Sequence, residues 1–174
     1  MLCALLLSGC GAHTGEIPLV NAGFETQGAS HDAVPGWRLA QHAGAPAYEM
    51  SVDTQAAAEG RASFRMRRLT PQFYGAISQE VKLPPGSGGR KATLTARMKT
   101  QGVGSKGWIL VLTVIATSGN TQFRSQPMSG DHDFGSVEVS TRLVDDAQAI
   151  EVSALLRDDG TGWLDDVHLR IDAN

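Results

Sequence analysis

The sequence predicts an all-β chain, an antiparallel sandwich or barrel, and three observations predict it. Apolar and polar residues alternate with period two along much of the length, clusters of Gly, Pro, Asn and Asp interrupt that alternation, and no stretch carries convincing amphipathic-helix spacing. Such alternation lays one row of side chains on a core and the other in solvent, and many short strands of this type pack as a sandwich or barrel. At 174 residues the chain is long enough for one domain with a real core.

In chain order, Tyr48, Met50 and Val52 alternate with Glu49 and Ser51, and Phe64 and Met66 with Ser63, Arg65 and Arg67. Ile77, Val81 and Leu83 then alternate with Ser78, Glu80 and Lys82. After the turn-forming run Pro84-Pro85-Gly86-Ser87-Gly88-Gly89, Leu94, Ala96 and Met98 alternate with Thr93, Thr95, Arg97 and Lys99. Residues 108–116 are nearly apolar on both faces, the mark of a central strand. Ser118-Gly119-Asn120 closes that strand, Ile150, Val152, Ala154 and Leu156 alternate with Glu151, Ser153 and Arg157, and Asp158-Asp159-Gly160 turns into the last strand.

That last strand, 162–171, puts a carboxylate where an apolar residue belongs. If Val167, Leu169 and Ile171 face the core, period-two geometry sends Asp165 inward with them and Asp166 outward. A buried carboxylate has to be neutralised, hydrogen-bonded or bound to a cation. Trp163 shares the inward parity and reads as core.

Charge and cysteine usage exclude several classes. The net charge of −3 and the lack of a basic run argue against a nucleic-acid surface. Cys3 and Cys10 are the only cysteines, so the body of the chain holds no disulfide, thiolate metal site or cysteine nucleophile. The opening apolar run is far shorter than the ~20 residues that span a bilayer, and it reads as the end of a secretory signal. Its last residues, Leu7-Ser8-Gly9-Cys10, resemble the bacterial lipobox, whose cysteine is lipidated and becomes the first residue of the mature protein. The resemblance implies a signal peptide over 1–10, a tether over 11–16 and a folded domain over 17–174. It also implies an exported, lipid-anchored protein of the bacterial envelope, on the outer membrane or periplasmic face, tethered and not threaded through the membrane.

Three further segments carry a second resemblance. Leu19-Val20-Asn21-Ala22-Gly23-Phe24-Glu25 with Pro35-Gly36-Trp37, then Ile77-Ser78-Gln79-Glu80-Val81, then Trp163-Leu164-Asp165-Asp166-Val167 resemble the first, middle and last strands of carbohydrate-binding modules with the galactose-binding-like jelly roll. This implies a jelly-roll β-sandwich and a carbohydrate partner, a cell-wall or extracellular glycan. In that superfamily the glutamate after Gly-Phe and an aspartate of the last strand commonly help hold a structural calcium; by position these are Glu25 and Asp165, with Asp166. The residues themselves leave a second answer open, in which Asp165 accepts backbone N–H bonds from the first-strand loop and no metal is present. The stretch 108–171 also resembles jelly-roll accessory domains of bacterial envelope and regulatory proteins.

Sugar recognition uses planar aromatic side chains over the C–H faces of pyranose rings and polar side chains for the hydroxyls. Aromatic residues make up only 6% of the chain. The candidates are Phe73 and Tyr74 in a loop, Trp108 at the rim of the apolar strand, Arg97, and Trp37, which serves either as a ligand platform or as a structural cap. Asp131-His132-Asp133 and His31-Asp32 set imidazole beside carboxylate, but both read as solvated turns. No nucleophile elbow, His-Glu-x-x-His or phosphate loop is present. The expected function is a non-catalytic module that binds glycan or derives from one that does. The alternatives are an envelope protein-interaction domain without a sugar site and a small hydrolase.

Overall fold

The computed structural model describes residues 15–30 and 33–172. The signal peptide with its lipidation candidate Cys10, and the His31-Asp32 pair, lie outside the described residues.

Ten strands follow in chain order: β1 (Gly15–Ile17), β2 (Arg38–Gln41), β3 (Tyr48–Asp53), β4 (Ser63–Arg68), β5 (Gly75–Lys82), β6 (Lys91–Ala116), β7 (Thr121–Arg124), β8 (Met128–Arg142), β9 (Ala147–Leu156) and β10 (Thr161–Ile171). The described residues contain no helix. Every pairing is antiparallel, in the order β2-β5-β9-β6-β10-β4-β3, with β1 added to β10 and with β7 and β8 added to β6. Gly15 and Glu16, expected in the tether, are already paired with Ile171 and Arg170.

The long strand β6 joins the two halves of this sheet. Its residues 92–101 pair with β10, and 108–116 pair with β9. Between them Gly102 and Gly107 have φ of 60° and 75°, and the register against β8 shifts three times. These irregularities bend the strand, and both halves of the sheet contribute to a single core. The result is the antiparallel jelly-roll sandwich that the alternation and the resemblance predict.

Residues 108–116 are apolar on both faces because each face is covered differently. Leu110, Leu112 and Val114 enter the core, whereas Ile109 and Val111, at 4% and 2% exposure, lie on the opposite parity. Trp108 shares the parity of Leu110 and is fully buried, its Nε1 donating to the Trp163 carbonyl at 2.9 Å. A Cβ on Gly162 would stand 2.7 Å from that indole, so the glycine is what lets the ring lie flat against β10. The expectation of Trp108 at a rim is therefore corrected: an even residue on this strand points into the core.

The N-terminal loop is pinned by amides. Asn21 bonds both backbone groups of Thr26 through its side chain, and Gln79 does the same for Val20 at 2.8 and 3.0 Å. The loop drives Phe24 into the core between Trp37 and Phe64, at ring separations of 5.3 and 5.9 Å.

Candidate functional site

Asp165 is fully buried, but not by the parity read from Val167, Leu169 and Ile171: the register against β6 shifts between Asp165 and His168, so Leu164, paired with Phe64 and Met98, takes the core row. Asp165 lies opposite Arg97 and Trp163 opposite Lys99 and Arg65, on the other face, where Trp163 Nε1 donates to Asp53 Oδ2 at 2.8 Å and is not part of the core as expected. Asp166 has its side chain a third exposed. Asp165 Oδ2 accepts the N–H groups of Ala58 and Glu59 at 2.7 and 3.1 Å, and Oδ1 accepts that of Asp166 at 2.7 Å. Burial pushes its carboxyl above the usual range, and these three donors oppose that rise. Glu25 Oε1 takes the N–H groups of Arg61 and Ala62 at 2.8 and 3.1 Å. Gly60, at φ 65°, leaves room for this, since a Cβ there would collide with Glu25 Oε1. The two carboxylates thus grip the loop between β3 and β4 by its backbone.

This donor set does not fit calcium. The ion takes six to eight oxygens whose lone pairs point at it, whereas the Asp165 oxygens and Glu25 Oε1 point at N–H dipoles. Asp166 Oδ1 meets His168 Nε2 at 2.7 Å. Among the described residues no three His, Cys, Asp or Glu side chains gather in a way that could hold a metal.

The other candidates separate. Trp37 is 8% exposed, packed on Phe24, and its Nε1 donates to the Asn21 carbonyl at 3.1 Å, so it is a structural cap. Arg97 donates to the Phe134 carbonyl at 3.0 Å, beside β8 and β10. Asp131-His132-Asp133 belongs to strand β8 and not to a turn, but it is exposed there, with His132 Nε2 on the Ser129 carbonyl and Asp131 holding the Gly102 N–H.

Tyr74 does mark a site, with Phe73 beside it in the chain. On the face of β2, β5, β9 and β6 turned away from the core, the registers align two transverse rows. One runs Arg38, Ser78, Ser153, Val111 and on to Arg124 of β7; its neighbour runs Ala40, Ala76, Leu155, Ile109. Small side chains in the middle and long ones at the edges make a trough. The row from Arg38 to Arg124 crosses four strand spacings, roughly 19 Å. Tyr74 and Arg157, two residues beyond Ala76 and Leu155, stand at one end, and the open trough measures about 360 Å³, within the range of small-molecule sites.

Tyr74 is part of an aromatic rim. The His42 ring lies 4.9 Å from Phe73 and 5.8 Å, edge-on, from Tyr74, and the His42 N–H donates to the Tyr74 carbonyl at 3.1 Å. Phe73 is 74% exposed, the most exposed large apolar side chain among the described residues. At the trough's edge Arg38 Nη2 bonds Glu151 Oε2 at 2.6 Å and reaches Ser78 Oγ at 3.3 Å, while Arg124 Nη2 donates to Gln122 Oε1 at 2.7 Å. Sequence reading missed these arginines and His42. Outward Ala76, Ser78 and Ser153 opposite outward Ile109 and Val111 were the signal that could have found them.

No family model and no curated protein matches the sequence. Solved structures are similar. The CBM22-1 xylan-binding domain from Paenibacillus barcinonensis Xyn10C superimposes with a TM-score of 0.58 at 10% identity, over 88% of this chain and 93% of that one. The TmCBM61 module solved with β-1,4-galactotriose gives 0.55 at 20% identity, over 86% and 94%. The chain has the jelly-roll fold of carbohydrate-binding modules. A cyclase from Fischerella sp. TAU, solved with 4-(1H-indol-3-yl)butan-2-one, shares this fold too, with a TM-score of 0.66 at 17% identity over 91% and 98%. The fold therefore carries both binding modules and enzymes, and function has to be argued from the site.

Proposed function

We propose that the protein is a non-catalytic glycan-binding module, exported and anchored at the bacterial envelope through Cys10. The observation that carries this reading is the trough with an aromatic residue at its end: Tyr74 lines it beside hydroxyl, amide and guanidinium donors, and the exposed Phe73 precedes it in the chain. That is the combination a pyranose requires, with apolar C–H faces to cover and hydroxyls to bond. The solved modules of this fold named for xylan and galactotriose support it. Against catalysis stands the chemistry of the trough, where Glu151 is the one carboxylate and is paired with Arg38. Hydrolysis of a glycosidic bond commonly uses two carboxylates across the bond.

The test is a glycan-array screen repeated with Tyr74→Ala and Phe73→Ala. Binding that survives in neither variant, on proteins with unchanged melting temperatures, supports the reading. A blank array, or binding indifferent to both substitutions, overturns it.

A further inference from the structure

The trough is cationic in a chain that is not. The protein as a whole carries a net charge of −3, yet Arg38, Arg124 and Arg157 line this one cavity against the single carboxylate of Glu151. Arg38 takes that carboxylate. Arg124 bonds only a neutral amide, and Arg157 has no ion-pair partner among the described residues. Neither arrangement is needed for folding: the three arginines are exposed, on the face opposite the core.

A neutral glycan needs hydrogen-bond donors and acceptors in similar number. A trough rimmed by three guanidiniums, which donate and never accept, is biased toward a ligand that brings its own negative oxygens. Guanidinium binds planar oxyanions through two parallel N–H bonds, and such charge-assisted bonds are the strong ones. The small residues Ala40, Ala76, Ser78 and Ser153 line the cavity between these arginines.

We propose that the trough selects acidic glycans, whose sugar rings carry carboxylate or sulfate groups, with Tyr74 stacking on a ring and Arg124 and Arg157 holding its anionic substituent. This rests on the glycan-binding reading above and names the substrate class for the same site. Arg38 exchanges Glu151 for the ligand on binding, at little cost, since its side chain is 73% exposed and such solvent-screened surface pairs contribute little in the free protein.

The test is calorimetric titration of the protein with three tetrasaccharides of equal length: neutral β-1,4-galactotetraose, tetragalacturonate and a sulfated galactotetraose. The expected result is binding of at least one acidic ligand about tenfold or more tighter than the neutral one, weakening as salt is raised. The double variant Arg124→Gln/Arg157→Gln, checked for an unchanged melting temperature, loses about tenfold or more of that affinity, as loss of a charge-assisted bond predicts. Glu151→Gln tightens it, by removing the competing carboxylate. The two acidic arms tell carboxylate from sulfate. If the neutral ligand binds as tightly and the arginine variants do not matter while Tyr74→Ala does, charge selection is overturned and the glycan-binding reading stands. If no ligand of the three binds and the array is blank, both fall.

Discussion

Replacing Asp165 tests the account of how the last strand grips the loop between β3 and β4. In Asp165→Ala the N–H groups of Ala58, Glu59 and Asp166 lose their acceptor. An unsatisfied buried donor costs about 1–3 kcal/mol. Glu59 is exposed and Ala58 half-buried, so water reaches part of this cluster and the lower figure applies to those two. The Asp166 donor and the small void add about as much again, for a loss of roughly 3–5 kcal/mol. For a domain of this size that lowers the melting temperature by about 6–20 °C. Asp165→Asn keeps the shape and one acceptor oxygen and removes a charge that burial disfavours, so it costs less, on the order of 1–2 kcal/mol. The linkage carries its own sign. Because burial raises this carboxyl in the folded state, its contribution is full below the ordinary carboxylate pKa and is lost as pH rises through the raised value. Asp165→Asn removes that fall. Thermal melts of the three proteins at pH 3–7 read all of this. An Ala variant within about 2 °C of wild type refutes the clamp, and an Asn variant as unstable as Ala shows that the negative charge itself is required, as a bound cation would demand.

Three more outcomes follow from the same geometry. Adding calcium or chelator leaves the melting temperature unchanged, because both Asp165 oxygens and Glu25 Oε1 are taken by N–H groups; a calcium-dependent rise of several degrees would reverse that conclusion. Gly162→Ala drives a Cβ into the rigid, buried Trp108 and costs about 1–3 kcal/mol by overpacking, read as a lower melting temperature against a Gly135→Ala control, where φ is not positive and the nearest atom to a Cβ stands 3.9 Å away. His168 bridges Glu16 of β1 and Asp166 at 2.9 and 2.7 Å, and the Glu16 bond first, with Asp166 adding, raises its pKa against the opposing effect of burial. Its stabilisation is fully present below the ordinary histidine value and fades as pH rises through the raised one. With half the ring exposed the effect stays under about 1 kcal/mol, and titration of amide exchange at Ile17 with and without His168→Gln measures it.

The parts of the fold legible in the sequence were those where one physical rule acts alone. Parity held along β10 from Val167 to Ile171 but failed before it: Asp166 sits at φ 48° and the register against β6 shifts between Asp165 and His168, so Leu164 and not Asp165 joins the core row, and Asp165 is buried by the loop between β3 and β4 whose N–H groups it accepts. The same rule, applied to Trp108, would have sent it to the core beside Leu110; treating it as a strand end overrode the parity and gave the wrong side. Arg97 failed for a different reason: its carbonyl partner at Phe134 lies on β8, whose shifted register against β6 cannot be read from either strand.

The trough was legible in pieces and illegible as a site. Tyr74 and Phe73 announced themselves as aromatic residues in a turn-rich segment, but the arginines that give the cavity its character come from β2, β7 and the end of β9, brought together by a strand order no local pattern encodes. What connects them is a negative feature. Ala76, Ser78 and Ser153 are too small to fill the part of the face they occupy, and the depression left there has its edges set by the longest residues nearby. Here those residues are arginines, so the same smallness that makes room for a ligand also fixes the charge that the ligand has to answer.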